Sequence, residues 1–204
     1  MTTNRYHFLG TFDPPHKGHV HVYHEAIEMI KRIPATLIVG ITAQNPQKEL
    51  PKYTAYERLD MWMDKVSFGD SYRNVQLKYT NFTCEPFNGI SASCNSVFLI
   101  DTYSTTYDYI NAMTPMDAHI HGVPKNHLII GGDQLFNLHT WHEHENLLEL
   151  LGSVVVFSRG EKRIEMIKYT HTLLSYYAHK FKFIMQYDYT NISSTQIRNQ
   201  DNER

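Results

Sequence analysis

The sequence predicts an α/β domain on a parallel, doubly wound sheet, and three observations carry that prediction. Short apolar runs rich in β-branched residues alternate along the chain with longer segments of helical periodicity. Some of the runs, such as Ala35–Ile41 (ATLIVGI), are apolar almost throughout, as strands buried on both faces are. The length, 204 residues, fits one domain over residues 1–204 with strands joined by right-handed crossovers.

The elements follow in order. Arg5–Gly10 reads as a strand. Gly18–Arg32 is a helix with Val22, Ala26, Met29, Ile30 and Ile33 at helical spacing, stopped by Pro34. Ala35–Ile41 is the second strand. Thr54–Phe68 is a helix opened by a capping box, Thr54 with Glu57 three residues on, and lined by Leu59, Trp62, Met63 and Val66. Asn74–Tyr79 alternates as a strand and Asn81–Ser96 reads as a loop. Val97–Met113 is expected to be helical, and Thr114–Lys125, with two prolines, a loop. Asn126–Gly131 (NHLIIG) is a strand ending in Gly131-Gly132. A helix at Glu143–Leu151, a strand at Ser153–Phe157, a helix at Glu161–Lys180 and a strand at Phe181–Gln186 come next. Ile192-Ser-Ser-Thr195 opens a last short helix.

Composition narrows the function. Hydrophobic residues at 42% and charged residues at 20% are globular proportions, which excludes global disorder. No apolar run approaches the ~20 residues of a membrane span, and Met1–Arg5 carries no export signal. Two cysteines, Cys84 and Cys94, supply neither a disulfide framework nor a four-cysteine zinc site, so a reduced, cytoplasmic setting is expected. A net charge of -2 argues against a nucleic-acid binder but allows a small anion held by local donors.

Two segments carry the chemistry. Gly10-Thr-Phe-Asp-Pro-Pro-His-Lys-Gly-His19 runs from a strand end into a helix start. The free N–H groups and dipole at that helix end favour an anion, Gly18 lets the backbone come close to it, and His16 and His19 suit a polyphosphate. On spacing alone, a capped helix with solvent-facing histidines is as good a reading, since the chain has thirteen histidines. A metal site is the weaker reading, because a third ligand is lacking. Ile192-Ser-Ser-Thr-Gln-Ile-Arg198 is a second strand-to-helix junction. Ser193 or Ser194 can cap the helix, and Arg198, four residues after Ser194, shares its face and can clasp phosphate oxygens. Taken alone it is an ordinary cap with a surface arginine.

Together the segments resemble the paired GTFDPxHxGH and ISSTxxR signature of the HxGH nucleotidyltransferases, a superfamily of Rossmann-like, doubly wound folds. Further segments resemble its nicotinate/nicotinamide mononucleotide adenylyltransferases. These are Asn45-Pro-Gln-Lys48, Glu57-Arg58-Leu-Asp-Met61, Ile130-Gly-Gly-Asp133 with the downstream Trp141, and Val154–Arg159-Gly160. Phe98-Leu-Ile-Asp-Thr-Tyr103 resembles, more loosely, the start of the family's third helix. Three features depart from the pattern. Ser158-Arg-Gly160 lacks the usual proline, Asn81–Ser96 is long and without a familiar motif, and the chain runs only six residues past Arg198.

The resemblance implies an enzyme of NAD biosynthesis that moves the adenylyl group of ATP to nicotinate or nicotinamide mononucleotide, giving deamido-NAD or NAD and pyrophosphate. It implies His16, His19 and Arg198 as catalytic residues. With them, Gly10, Thr11, Phe12, Gly18, Gly131, Asp133, Ser193, Ser194 and Thr195 would bind ATP, Asp133 through a ribose. Lys48, Trp141 and Arg159 would bind the mononucleotide, Trp141 by stacking on the cationic pyridine ring. Mg²⁺ would arrive on the ATP phosphates, with no metal ligands on the protein. ATP and a pyridine mononucleotide are the expected partners, nucleic acid and membrane are not, and self-association is left open. The rivals are pantetheine-phosphate adenylyltransferases and cytidylyltransferases of the same superfamily, and a non-catalytic nucleotide-binding module. The bacterial style of the motifs favours the nicotinate form of the substrate. His142 and His144, two apart, read as surface histidines.

Overall fold

The computed structural model describes residues 4–43, 50–66, 75–78, 96–101, 103–114, 125–158, 160–185 and 193–202. Its seven strands are β1 (Asn4–Gly10), β2 (Ala35–Thr42), β3 (Val75–Lys78), β4 (Ser96–Asp101), β5 (Asn126–Gly131), β6 (Leu151–Ser158) and β7 (Phe181–Met185). They form one parallel sheet in the order β3-β4-β2-β1-β5-β6-β7. The helices are α1 (Lys17–Ile30), α2 (Ala55–Val66), α3 (Thr106–Met113), α4 (Gly132–Leu135), α5 (His144–Leu150), α6 (Arg163–Leu173) and α7 (Ser194–Asn202).

Strands covered on both faces divide the core in two. On one face Tyr6, Phe8, Leu37, Val39 and Phe98 meet Tyr23 and Ala26 of α1 and Leu59 and Trp62 of α2. On the other, Leu9, Ile38, Leu128 and Val154 meet Tyr109 of α3, Leu147 of α5 and Met166 of α6. Alternate residues of each strand go to opposite faces, as the pleat requires. The Thr54–Glu57 box forms as the sequence predicts: the Glu57 amide donates to Thr54 Oγ1 (3.2 Å) and the Thr54 amide to Glu57 Oε2 (2.7 Å).

The structure corrects three expectations. Val97–Met113 is not one helix but strand β4, a turn and helix α3. Val97-Phe-Leu-Ile100 is β-branched and aromatic and fully enclosed between β2 and β3, where an apolar run packs best as a strand. The helix starts only where Thr105 caps it, accepting from the Asp108 amide at 3.1 Å. Phe98–Asp101 is therefore the end of a strand, not the start of a third helix. Glu161–Lys180 is likewise broken: α6 ends at Leu173, and Ser175–Lys180 winds as a 3₁₀ turn. Lys180 draws that turn in, donating to the carbonyls of Leu148 (2.6 Å) and Leu151 (2.8 Å). The short helices Gly132–Leu135 and Leu138–Thr140 are additions the periodicity does not signal. Most of the Asn81–Ser96 and Thr114–Lys125 loops, with Cys84 and Cys94, lies outside the described residues.

A buried polar chain ties α3 to the sheet. His7 Nδ1 lies 3.2 Å from the Tyr109 hydroxyl and its Nε2 2.9 Å from Asn126 Oδ1. The Asn126 amide donates to Thr114 Oγ1 (2.9 Å), which donates to Ile110 O (2.7 Å). Burial makes the imidazolium costly, pushing His7 down to about 3 and His127, beside Lys182 and Lys125, down to about 4. Burial pushes Asp101 the other way, up to about 7.

The signs fix an acid response. Between pH 6.5 and 4 the unfolded chain binds two imidazole protons that the folded one refuses, while folded Asp101 binds one that the unfolded carboxyl does not. The net is one proton in favour of unfolding, about 1.4 kcal/mol lost per pH unit of acidification. Urea unfolding at stepped pH should show the midpoint falling across this window. Asp101→Asn should steepen the fall to roughly twice that slope, and an unchanged midpoint would contradict the assignment.

Candidate active site

The strand order reverses between β1 and β5, so the chain leaves these neighbours toward opposite faces and a crevice opens beyond their carboxyl ends. Two adjoining cavities occupy it, of about 540 and about 420 Å³. They share a wall of Leu9, Gly10, Thr11, Ile130, Asp133 and Gln134.

The larger cavity has the features that suit an anion. The first turn of α1 (His16, Gly18, His19) and the first turn of α7 (Ser193–Thr195) both line it, bringing two helix N-termini to one space. His16 is the N-cap of α1, and its Nδ1 accepts from the Gly18 amide at 3.2 Å. His19 Nδ1 accepts from the His16 amide at 3.2 Å, and the two rings stack with centroids 3.7 Å apart. A backbone amide only donates, so both Nδ1 atoms are unprotonated and the proton of each neutral ring sits on Nε2. The capping that starts the helix thus fixes the tautomer of both candidate catalytic histidines.

The loop before them is held from beneath. Gly10 is required because a Cβ there would lie 2.9 Å from the Phe12 ring. Phe12 adopts a left-handed φ of 49°, a strained conformation for a bulky residue, and its ring packs edge-on against Phe8, His19 and Trp62. Phe12 borders the cavity, yet most of its ring belongs to the core.

Arg58 and Asp13 fasten this loop to its neighbours. Arg58, 1% exposed, donates to the carbonyls of Thr11, Thr42 (3.0 Å), Ala43 (3.0 Å), Tyr53 (3.0 Å) and Thr54 (3.3 Å). Burial lowers its pKa, and the charge of Asp13 opposes that shift. Asp13 precedes a cis peptide to Pro14, and its carboxylate accepts from the amides of Lys52 (2.9 Å) and Tyr53 (3.1 Å).

The C-terminal segment docks on the same loop. Arg198 donates to Asp13 O (2.5 Å) and to Thr195 Oγ1 (3.2 Å), and lies 3.5 Å from the Asp13 carboxylate. Ser194 Oγ donates to Pro14 O at 3.0 Å, so Ser194 and Arg198 do share a face. Ser193 caps α7, accepting from the Gln196 amide at 3.2 Å. These hydroxyls and the guanidinium set the helix against the cavity before any ligand arrives.

The smaller cavity has different chemistry. Trp141, half-buried against the core, lines it with Tyr103, Thr105 and His142. Asp101, 4% exposed at the end of β4, accepts from the Tyr103 amide at 2.9 Å. Asp133 stands on the wall common to both cavities. The Gly131 amide beside it donates to Gln134 Oε1 (3.0 Å), and a Cβ on Gly132 would collide with the Glu161 carboxylate.

Of the expected site residues, Gly10, Thr11, Phe12, His16, Gly18, His19, Gly131, Asp133, Ser193, Ser194, Thr195 and Arg198 line the larger cavity, and Trp141 the smaller. Lys48 and Arg159 lie outside the described residues. Sequence reasoning gave no role to Asp13, Asp101 or Gln134, and quoted Arg58 without one. Arg58 had a signal: it falls on the stripe of Trp62 and Val66, where a cation must find partners.

Comparisons with known proteins give the family. A Cytidylyltransferase-like family model matches residues 7–66, which hold the histidine loop and Arg58. A probable nicotinate-nucleotide adenylyltransferase of a Nitratiruptor species is 30% identical over 155 residues, 76% of this chain and 73% of the relative. The chain belongs to the nicotinate-nucleotide adenylyltransferase family. Another member, from Pelagibacter ubique, is 24% identical over 93% of this chain and 88% of its own length. The fold is shared with the Plasmodium falciparum nicotinic acid mononucleotide adenylyltransferase complexed with NaAD. That match has a TM-score of 0.65 at 20% identity and covers 97% of this chain and 83% of that one.

Arg58→Lys tests the clamp. A lysine has three donors at a single point, so partly buried carbonyls lose partners, at up to about 1–3 kcal/mol each. Urea denaturation should show a loss on the order of 3 kcal/mol with an unchanged m-value. A loss within ~0.5 kcal/mol of zero, as at an ordinary surface site, would remove Arg58 from this role.

Proposed function

We propose that the protein transfers the adenylyl group of ATP to nicotinate mononucleotide, forming deamido-NAD and pyrophosphate in NAD biosynthesis. The observation that carries this reading is the pair of cavities with a common wall. One is lined by two helix N-termini, two histidines and an arginine, the other by an indole and buried polar groups. A triphosphate suits the first, and a ring-bearing mononucleotide the second.

In the reaction an oxygen of the mononucleotide phosphate attacks the α-phosphorus of ATP. A P–O bond forms, the α–β bridging P–O bond breaks in line, and pyrophosphate carries off the electron pair. The attacking phosphate is already ionised at neutral pH, so no general base is needed. Positioning and charge neutralisation do the work. His16 and His19 direct Nε2–H donors at the phosphates. Arg198 and the first turn of α7 hold the leaving pyrophosphate, and Asp133 accepts from ribose hydroxyls. Trp141 stacks on the pyridine ring, and Lys48 and Arg159 meet the mononucleotide. Mg²⁺ would be borne on ATP oxygens and water, where it neutralises phosphate charge.

Pyrophosphate release with ATP and a panel of acceptors tests the reading. Nicotinate mononucleotide should be the best acceptor, and phosphopantetheine and cytidylyl substrates inert. Preference for either of the latter would move the protein elsewhere in the superfamily. His16→Ala and His19→Ala should each lower kcat by about 10²-fold or more with the fold intact, the cost of one charge-stabilising donor. Trp141→Ala should raise KM for the mononucleotide roughly 2- to 30-fold and leave that for ATP nearly unchanged. Equal effects on both substrates would dismiss the stacking role.

A further inference from the structure

The adenylyltransferase reading constrains how a mononucleotide lies in the crevice. Its phosphate must reach the α-phosphorus of ATP, which places it at the wall the two cavities share. Its base then points to the far end of the smaller cavity, formed by the end of β4, the loop through Thr105 and Trp141. Two acids line that cavity. Asp133 lines both cavities and stands at the phosphate end; Asp101 lines only the smaller one. Among the described residues no cation comes within ion-pair distance of Asp101, and its recorded donor is the Tyr103 amide. The nearby guanidinium of Arg58 is turned to backbone carbonyls, Ala43 O among them, while the Ala43 amide donates to Asp101 O (2.8 Å).

We propose that Asp101 discriminates between the acid and amide forms of the pyridine substrate, its neutral carboxyl donating to a nicotinate carboxylate and its ionised form accepting from a nicotinamide NH₂. The inference rests on the adenylyltransferase reading and deepens it. Ionised, Asp101 repels the nicotinate carboxylate and gives the amide a charge-assisted acceptor; neutral, it gives the acid a charge-assisted donor. The choice between substrates then follows the protonation of one side chain, and burial brings that change to about pH 7.

Other charged or titratable groups surround it. Tyr109 of α3, whose hydroxyl burial and then the charge of Asp101 push up, packs edge-on against His7 with Arg5 nearby on β1. Tyr103 lies beside it in the loop, Arg58 reaches from α2, and His142 and Asp133 border the cavity. A pH dependence carried by any of these would survive replacement of Asp101, and one arising from the substrate phosphate is common to both mononucleotides and cancels in their ratio.

The experiment is the ratio of kcat/KM for nicotinate over nicotinamide mononucleotide, from pH 5.5 to 8.5 at saturating ATP and Mg²⁺. The ratio should fall about tenfold as pH rises through 7, the difference between a charge-assisted and a neutral hydrogen bond. Asp101→Asn, which keeps an acceptor for the Tyr103 amide, should make the ratio independent of pH. A flat ratio in the unaltered protein overturns the assignment without any variant, as does a slope that persists in Asp101→Asn. Turnover of both mononucleotides with a flat ratio rejects Asp101 alone, whereas no turnover of either rejects the adenylyltransferase reading and this assignment with it.

Discussion

A buried guanidinium organises the carboxyl end of the sheet. Arg58 projects from α2 into a space where the loops after β1 and β2 and the start of α2 would otherwise meet carbonyl to carbonyl. The bonds are partly buried, and a buried carbonyl left without a donor costs about 1–3 kcal/mol. A planar fork of five N–H donors can serve several at once in fixed directions, which a lysine cannot. Asp13 supplies the counter-charge and uses its own carboxylate to collect the amides of Lys52 and Tyr53. The strained backbone at Phe12 is held between this clamp and the aromatic cluster around Trp62.

The two cavities differ because the elements lining them end differently. Around the larger one the chain enters helices, so amides and positive dipole ends gather there. Around the smaller one β4 ends in a buried carboxyl, and Trp141 presents a flat face. The wall facing Trp141 depends in turn on α3, which the His7–Asn126–Thr114 chain fixes against the sheet with neutral hydrogen bonds. A neutral network suits this place. An imidazolium there would be poorly solvated, as the depressed pKa of His7 records.

Most of the sheet was legible because buried parallel strands are apolar runs and their helices carry periodic stripes. Legibility failed where two elements share one composition. Val97–Met113 has apolar residues throughout, and no glycine or proline marks the turn at Ser104, so only pairing with β2 and β3 decides for a strand. The histidine and serine motifs were visible because capped helix starts demand particular residues at fixed spacing. Asp13 and Arg58 were visible as letters but not as a clamp: their partners are backbone groups up to 47 residues away, and backbone carries no sequence signature. Asp101 stayed hidden for a related reason. Its chemistry comes from burial, which follows from the strand that the sequence reading took for a helix.

The cap geometry of the two histidines limits what they can do in the reaction. An imidazole whose Nδ1 accepts a backbone amide has only Nε2–H left to donate, and giving up that cap bond costs about 0.5–2 kcal/mol. In the proposed reaction the positive charge that the departing pyrophosphate needs would come from Arg198, from the helix dipoles and from Mg²⁺ on the phosphates. Neutral histidines have an advantage here. Two imidazoliums stacked at 3.7 Å would repel each other, whereas two neutral rings stack without that cost and hold their N–H groups in fixed register. The proposed bond-forming step consumes and releases no proton on the protein, and it suits histidines whose Nδ1 atoms are engaged by the backbone and whose part is to donate from Nε2.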